Sequence, residues 1–96
     1  MSLKLLLISG FLVLTQQAQA GADCPEVPRD QWLSEQAMQQ KIVNDYKFSI
    51  SKFKIDDNCY EIYGYSYDAD NPTHRRKVEV YFNPVDGSIV KQEFKD

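Results

Sequence analysis

The chain has 96 residues, of which 43% are hydrophobic, and a formal net charge of −3 at pH 7. A chain of this length holds one domain, and an acidic domain is a poor candidate for nucleic-acid binding, which depends on neutralising phosphates with basic side chains. The small size and the single histidine also disfavour an enzyme, and the residue pattern indicates no cofactor.

The first 20 residues have the pattern of a secretory signal peptide. Lys4 supplies a positive charge, an apolar run covers residues 5–14, and Ala18-Gln19-Ala20 has the small-x-small pattern of a signal-peptidase site. The run is shorter than the roughly 20 residues that span a bilayer, which argues against a membrane anchor. Cleavage after Ala20 would leave 76 residues with a net charge of −4. We therefore expect a periplasmic or secreted protein without stable membrane insertion.

Cys24 and Cys59 are the only two cysteines. In an oxidising compartment they are expected to form a structural disulfide. The bond would close a loop of about 36 residues and contribute roughly 3–4 kcal/mol in the chain-entropy model. A redox pair is the alternative, but its usual spacing is Cys-x-x-Cys, and a metal site would need two further ligands that the sequence does not supply.

Residues 21–33 contain two prolines and predict an extended lead-in, and residues 34–96 form the predicted domain. Ser34 is the expected N-cap of a helix over residues 35–44. Apolar residues at helical spacing give this helix a buried stripe. The stripe comprises Ala37, Met38, Ile42 and Val43.

Beyond residue 45 the apolar period changes to two, which predicts strands. The first covers residues 46–55, and a phase slip before Phe53 indicates a β-bulge. The other three cover residues 59–67, 75–82 and 88–94. Short connections, including a turn at residues 83–87, imply an antiparallel meander. The predicted fold is α+β, with one amphipathic helix packed on a four-stranded antiparallel sheet and a single disulfide.

Several short segments follow one another in a recognisable order. They are Cys24-Pro25, Trp32-x-Ser34, Tyr46-Lys47-Phe48, Asn58-Cys59-Tyr60-Glu61-Ile62, Val78-Glu79-Val80-Tyr81-Phe82 and Asn83-Pro84-Val85-Asp86-Gly87-Ser88-Ile89-Val90. Together they resemble the PepSY family, and most closely its small, stand-alone, exported members, over residues 24–92. Asn83 and Asp45 stand where members more often carry Asp and Gly.

The resemblance implies a binding or inhibitory module, such as a protease inhibitor, without a catalytic motif. No functional residue is carried over from it. Gly64 is interpreted as allowing the helix to approach the sheet closely. Gly87 is interpreted as the glycine of the turn in the last hairpin. The predicted function is an exported, non-enzymatic protein-binding module that regulates an envelope protease or membrane protein.

Strand alternation suggests where a partner would bind. It places Tyr63, Tyr65 and Tyr81 on one sheet face, opposite the face of Ile62 that is expected to meet the helix. Tyrosine brings a large contact area and a polar tip to an interface, so these three are the candidate partner-binding residues. The partner would be another envelope or secreted protein. Cross-strand aromatic pairing that only stabilises the sheet is the alternative, and Cys59 shares the tyrosine register, so the two faces could be inverted.

The polar loop at residues 68–74 supports a second hypothesis, the sensing of a small ligand or a metal cation. Asp68, Asp70 and Asn71 offer oxygen ligands, and His74 follows. The spacing does not complete a calcium-binding loop, because Pro72 stands where a third ligand is needed. No metal ligand or catalytic residue is therefore assigned. The basic run at residues 75–77 predicts a solvated strand edge, with contact to an acidic partner as the alternative.

Overall fold

The structure, a computed structural model, describes residues 21–95. The predicted signal peptide, residues 1–20, lies outside the described residues. Within them, a short 3-10 turn (Arg29–Gln31) is followed along the chain by one α-helix and four strands. They are α1 (Glu35–Asn44), β1 (Ser49–Asp56), β2 (Cys59–Tyr67), β3 (Arg75–Phe82) and β4 (Ile89–Phe94). The strands pair antiparallel in the order β1-β2-β3-β4, which confirms the predicted α+β meander.

Helix α1 begins where its capping residue predicts. The Ser34 hydroxyl accepts a hydrogen bond from the Ala37 amide at 3.0 Å, which satisfies one of the amide groups that has no partner inside the helix. Met38 and Ile42 are fully buried, as their i, i+4 spacing requires. Val43 is 47% exposed, so its predicted place in the apolar stripe is wrong. One residue further along turns the side chain by about 100°, away from the sheet.

The first strand starts later than predicted because the chain turns sharply after the helix. Lys47 adopts a left-handed backbone conformation with φ 65°, which interrupts an extended run. The amide of Phe48 donates to the carbonyl of Ile42, so the chain is still tied to the helix end at this point. Pairing therefore begins at Ser49 rather than at residue 46.

The predicted bulge in β1 is confirmed, and it explains Gly64. The register shifts between Ile50 and Lys52, which carries the Ser49 carbonyl close to β2. A Cβ atom on Gly64 would lie 1.9 Å from the Ser49 carbonyl oxygen. The interpretation of Gly64 as a contact point for the helix is therefore wrong, since a neighbouring strand of the sheet needs this space.

One face of the sheet forms the core with the helix. Ile62, Val80 and Phe82 point to this side, as predicted. The buried cluster comprises Met38, Ile42, Phe48, Tyr60, Ile62, Val78, Val80 and Phe82. We call the opposite side the outer face, which carries Glu61, Tyr63 and Tyr65 of β2 with their cross-strand neighbours.

The predicted disulfide is present and anchors the lead-in. Cys24 is bonded to Cys59 with a Cα–Cα distance of 5.4 Å. Near its start the lead-in accepts a hydrogen bond at the Gly21 carbonyl from Lys91, at 3.0 Å. At its end Trp32 packs edge-on against Tyr60, with ring centroids 5.2 Å apart. The lead-in therefore contacts the outer face first and the core side last.

Candidate functional site

The side chains of the outer face form regular rows across the sheet, because β1, β2 and β3 pair with little interruption. Tyr63 lies between Lys52 of β1 and Glu79 of β3. One row along, Tyr65 pairs with Lys77. In the row on the other side, Glu61 lies between Lys54 and Tyr81, and Tyr81 pairs with Lys91 of β4. The face therefore interleaves tyrosines and lysines around two glutamates.

The three candidate tyrosines share this face as predicted, but they differ in exposure. Tyr63 is 37% exposed and Tyr65 is half-buried, whereas Tyr81 is 2% exposed. The Tyr81 hydroxyl donates a hydrogen bond to Glu79 at 2.7 Å. Tyr81 therefore lies beneath the surface, and of these three tyrosines only Tyr63 and Tyr65 are accessible.

A cation lies over the ring of each of these tyrosines. The Arg75 guanidinium is 4.1 Å from the centroid of the Tyr65 ring, and the Lys54 ammonium is 5.9 Å from that of Tyr63. Such contacts hold aromatic and basic side chains together at a surface. The tyrosines therefore form one mixed surface with the basic residues rather than an apolar patch.

Two glutamates are buried in the middle of the outer face. Glu61 is 1% exposed and Glu79 is 6% exposed, and their side chains are hydrogen-bonded to each other. Two carboxylates this close cannot both stay ionised without a large penalty. One proton is therefore shared within the pair.

The surroundings decide which glutamate keeps the proton. Glu79 accepts a hydrogen bond from the Tyr81 hydroxyl at 2.7 Å, and the Lys95 ammonium lies 3.3 Å from it. Glu61 and Tyr63 are further hydrogen-bonding neighbours that act on its pKa. The hydrogen bond from Glu61, helped by these other donors, lowers the pKa of Glu79 to about 2. Burial, followed by the hydrogen bond with Glu79, raises the pKa of Glu61 to about 7. Glu61 is thus the protonated member at mildly acidic pH.

The Oε1 atom of Glu61 is buried with few polar neighbours. Within the described part of the chain, its Oε1 has no hydrogen-bond partner. The nearest cation is the Lys54 ammonium, at 3.6 Å. An oxygen buried in this way favours the neutral carboxyl group over the carboxylate. The hydrogen bond from Tyr63 to Glu79 in turn raises the pKa of the tyrosine to about 12.

A shallow cleft of about 230 Å³ lies beside the glutamate pair. Tyr63, Tyr65, Lys77 and Lys95 line it. The cleft is at the end of the outer face that is distant from the disulfide, so the lead-in does not fill it. It combines aromatic surface with ammonium groups at the place where Tyr63 and Tyr65 are accessible.

Sequence reasoning missed the glutamate pair. Strand alternation does place Glu61 in the register of the tyrosines, and a charged residue in a strand normally points to solvent. The signal that could have identified the pair was the antiparallel register, which sets Glu61 opposite Tyr81 and Glu79 opposite Tyr63. Glu61 and Glu79 therefore occupy diagonal positions on neighbouring strands, which are close enough for their side chains to meet.

The polar loop at residues 68–74 folds largely upon itself. The Asp68 carboxylate lies 2.6 Å from Nδ1 of His74, and the Asn71 side-chain oxygen accepts a hydrogen bond from the Thr73 hydroxyl at 2.7 Å. Among residues 21–95, no group of three or more His, Cys, Asp or Glu side chains is placed to hold a metal ion. Nothing in this geometry favours the cation-sensing hypothesis.

Comparison with known proteins identifies one related family. The family model described as peptidase propeptide and YPEB domain (PepSY_2) matches residues 4–93. Neither a curated protein nor a solved structure matches the chain significantly. Across the part of the chain that the structure describes, no helix is long and apolar enough to cross a membrane.

Proposed function

Because the chain belongs to the PepSY_2 family of peptidase propeptide and YPEB domains, we propose that it is an exported, non-enzymatic module that binds and regulates another envelope or secreted protein. Domains of this family are regulatory or propeptide-like modules, typically extracellular or periplasmic. The disulfide between Cys24 and Cys59 fits an oxidising compartment. The signal-peptide pattern of residues 1–20 supports the same location.

The outer face carries this proposal. The helix covers one face of the sheet, and on the other face Tyr63 and Tyr65 remain accessible beside a shallow cleft. Partly exposed tyrosines are enriched where proteins bind proteins. The expected target is a protease or a membrane protein of the envelope, since the family description refers to peptidase propeptides.

Site-specific photo-crosslinking tests the surface directly. A benzophenone amino acid introduced at Tyr65 should yield a defined adduct in the native envelope, and mass spectrometry of the adduct identifies the partner. The matched control is the same amino acid at Phe94. Phe94 pairs with Val78, whose side chain is in the core, so it lies on the opposite side of the sheet, and its side chain is 47% exposed. Adducts from position 94 without any from position 65 would overturn the proposal.

A further inference from the structure

Charge is unevenly distributed over this acidic protein. Ten basic residues lie in residues 21–95, and six of them belong to the outer face. These six are Lys52, Lys54, Arg75, Lys77, Lys91 and Lys95. The outer face carries four acidic residues, and two of these are the buried glutamates. Elsewhere the described chain has nine acidic and four basic residues, so positive charge is concentrated on this one face.

Some of this positive charge is neutralised by the glutamates, and some is not. Lys54 lies near Glu61, and Lys95 contacts both Glu79 and Glu93. Lys52 and Lys77, in contrast, are exposed and form no ion pair within residues 21–95. These two lysines flank the accessible tyrosines, because Lys52 is opposite Tyr63 and Lys77 is opposite Tyr65.

We propose that the outer face binds an extended, carboxylate-rich segment of a partner protein, with Lys52 and Lys77 pairing with its carboxylates and Tyr63 and Tyr65 packing against the chain between them. This inference rests on the proposed function and specifies the chemistry of the partner. An ammonium group and a carboxylate at a partly apolar surface form charge-assisted hydrogen bonds. Complementary charge also selects the partner and speeds its association.

The spacing of strands and residues in the sheet determines how far apart the two carboxylates of the ligand should lie. Lys52 and Lys77 are two strands apart, which is about 10 Å, and two residues apart along the strand direction, which is about 7 Å. The diagonal is therefore about 12 Å, close to the rise of four residues in an extended chain at about 3.3 Å each. Side chains at i and i+4 also point to the same side of such a chain. A segment with Glu at i and i+4 and an apolar residue at i+2 fits the face best.

The surroundings of the face favour a short segment over a large polyanion. The rest of the described chain carries more acidic than basic residues, so a membrane surface or a nucleic acid that extends beyond the four strands would meet repulsion. Four strands span only about 15 Å. The stretch from one Glu of the segment to the other, about 13 Å at about 3.3 Å per residue, stays within this width.

A titration followed by amide NMR shifts tests the proposal with defined probes. The probe is the capped heptapeptide Ser-Glu-Ser-Val-Ser-Glu-Ser, and the comparison peptides carry Gln or Lys in place of both Glu residues. The acidic peptide should shift the amides of Tyr63, Tyr65 and Lys77 in a salt-dependent manner, and the other two should not. Equal shifts with the Gln peptide, or binding to phosphatidylglycerol vesicles without binding to the acidic peptide, would contradict the proposal.

Charge reversal provides the matched variants. The double substitution Lys52→Glu with Lys77→Glu should weaken binding of the acidic peptide by roughly tenfold, since two exposed ion pairs are lost and charge reversal adds repulsion. Lys47→Glu is the control, because Lys47 is exposed and precedes the sheet, and it should change the affinity less than about twofold. If the double variant does not fold, Lys52→Gln with Lys77→Gln serves instead, with a smaller loss.

The two proposals can fail separately. A crosslinked adduct at position 65 whose yield is unchanged by Lys52→Glu with Lys77→Glu would leave the partner surface in place and reject the carboxylate-rich ligand. Absence of any adduct at position 65, with acidic-peptide binding intact, would reject the proposed function and retain the ligand chemistry of the face.

Discussion

Glu61 shows how one buried side chain links the fold to pH. Its carboxyl group lies under the outer face, hydrogen-bonded to Glu79 and beside an ammonium group. A protonated carboxyl group can donate to its neighbour, whereas the ionised form would face Glu79 with like charge. The pair is therefore stable with one proton and strained without it.

Stability should fall as this proton is lost. Burial raises the pKa of Glu61 from 4.5 to about 7, so the folded state binds a proton that the unfolded state releases, and the stabilisation present below pH 4.5 disappears as the pH rises through 7. We expect the free energy of unfolding in urea to decrease by about 2 kcal/mol over this interval. Glu61→Gln should remove the decrease, and Glu93→Gln, at a partly exposed position of the outer face, should retain it. A profile of the unmodified protein that is flat over this interval would contradict the expectation.

Glu79 has the opposite dependence. Its pKa is lowered from 4.5 to about 2, so its ionised form stabilises the folded state above pH 4.5, and this contribution is lost as the pH falls towards 2. The two dependences together place the pair's greatest contribution between the two folded-state pKa values, near pH 4.5.

Gly64 is the second residue with a sharp prediction. A methyl group there would collide with the Ser49 carbonyl oxygen. Because Ser49 is held in the paired strand β1, its carbonyl group can move away only if the bulge is distorted. Gly64→Ala should lower the free energy of unfolding by about 2–3 kcal/mol, as overpacking does in other buried sites. Gly21→Ala is the control, because the nearest atoms to its Cβ would belong to the flexible side chains of Asp56 and Asp57. Equal stabilities of the two variants in urea denaturation would show that the bulge has room for a side chain.

At the scale of elements, the disulfide joins the lead-in, which contains no α-helix or strand, to the sheet. Cys24 lies in the lead-in and Cys59 begins β2, with a sequence separation of 35. Closing a loop of this length reduces the entropy of the unfolded chain. The bond also holds the lead-in against the end of the outer face, near Lys91.

Reduction should therefore destabilise the protein strongly. The chain-entropy model gives a loss of roughly 3–4 kcal/mol in the free energy of unfolding, which is a large share of the stability of a small domain. Thermal denaturation with and without reductant measures the effect, and the native protein should be about 2 Da lighter than the reduced one because pairing removes two hydrogens. The double variant Cys24→Ser with Cys59→Ser should melt as the reduced protein does, with no response to reductant. A melting temperature of the native protein that is unaffected by reductant would contradict this account.

The elements differ in how well the sequence predicts them. Helix α1 and strands β2 and β3 have the predicted bounds, because each is bordered by a local signal such as the Ser34 cap or a polar turn. Strand β1 begins late because Lys47 has a positive φ, and lysine carries no local preference for that conformation. The bulge at Ser51 is visible as a phase slip, but its contact with Gly64 depends on the partner strand.

At the scale of the whole molecule, the two faces of the sheet have separate roles. The core face packs against α1 and provides the apolar burial, while the outer face gathers lysines and tyrosines around the glutamate pair. Protonation of Glu61 removes one negative charge from the outer face. Mildly acidic conditions therefore favour both the folded state and the positive potential that the carboxylate-rich segment requires.

The sequence by itself determined the order of the elements, the pairing of Cys24 with Cys59, and the common face of Tyr63, Tyr65 and Tyr81. These follow from local periods, from turn residues and from the presence of only two cysteines. Only the tertiary structure decided that Tyr81 is buried, that Glu61 and Glu79 are buried beside each other, and that Lys52 and Lys77 flank the accessible tyrosines. The physical reason is that a period of two specifies a residue's face, whereas its burial and its charge partners are set by the strands and the lead-in packed beside it.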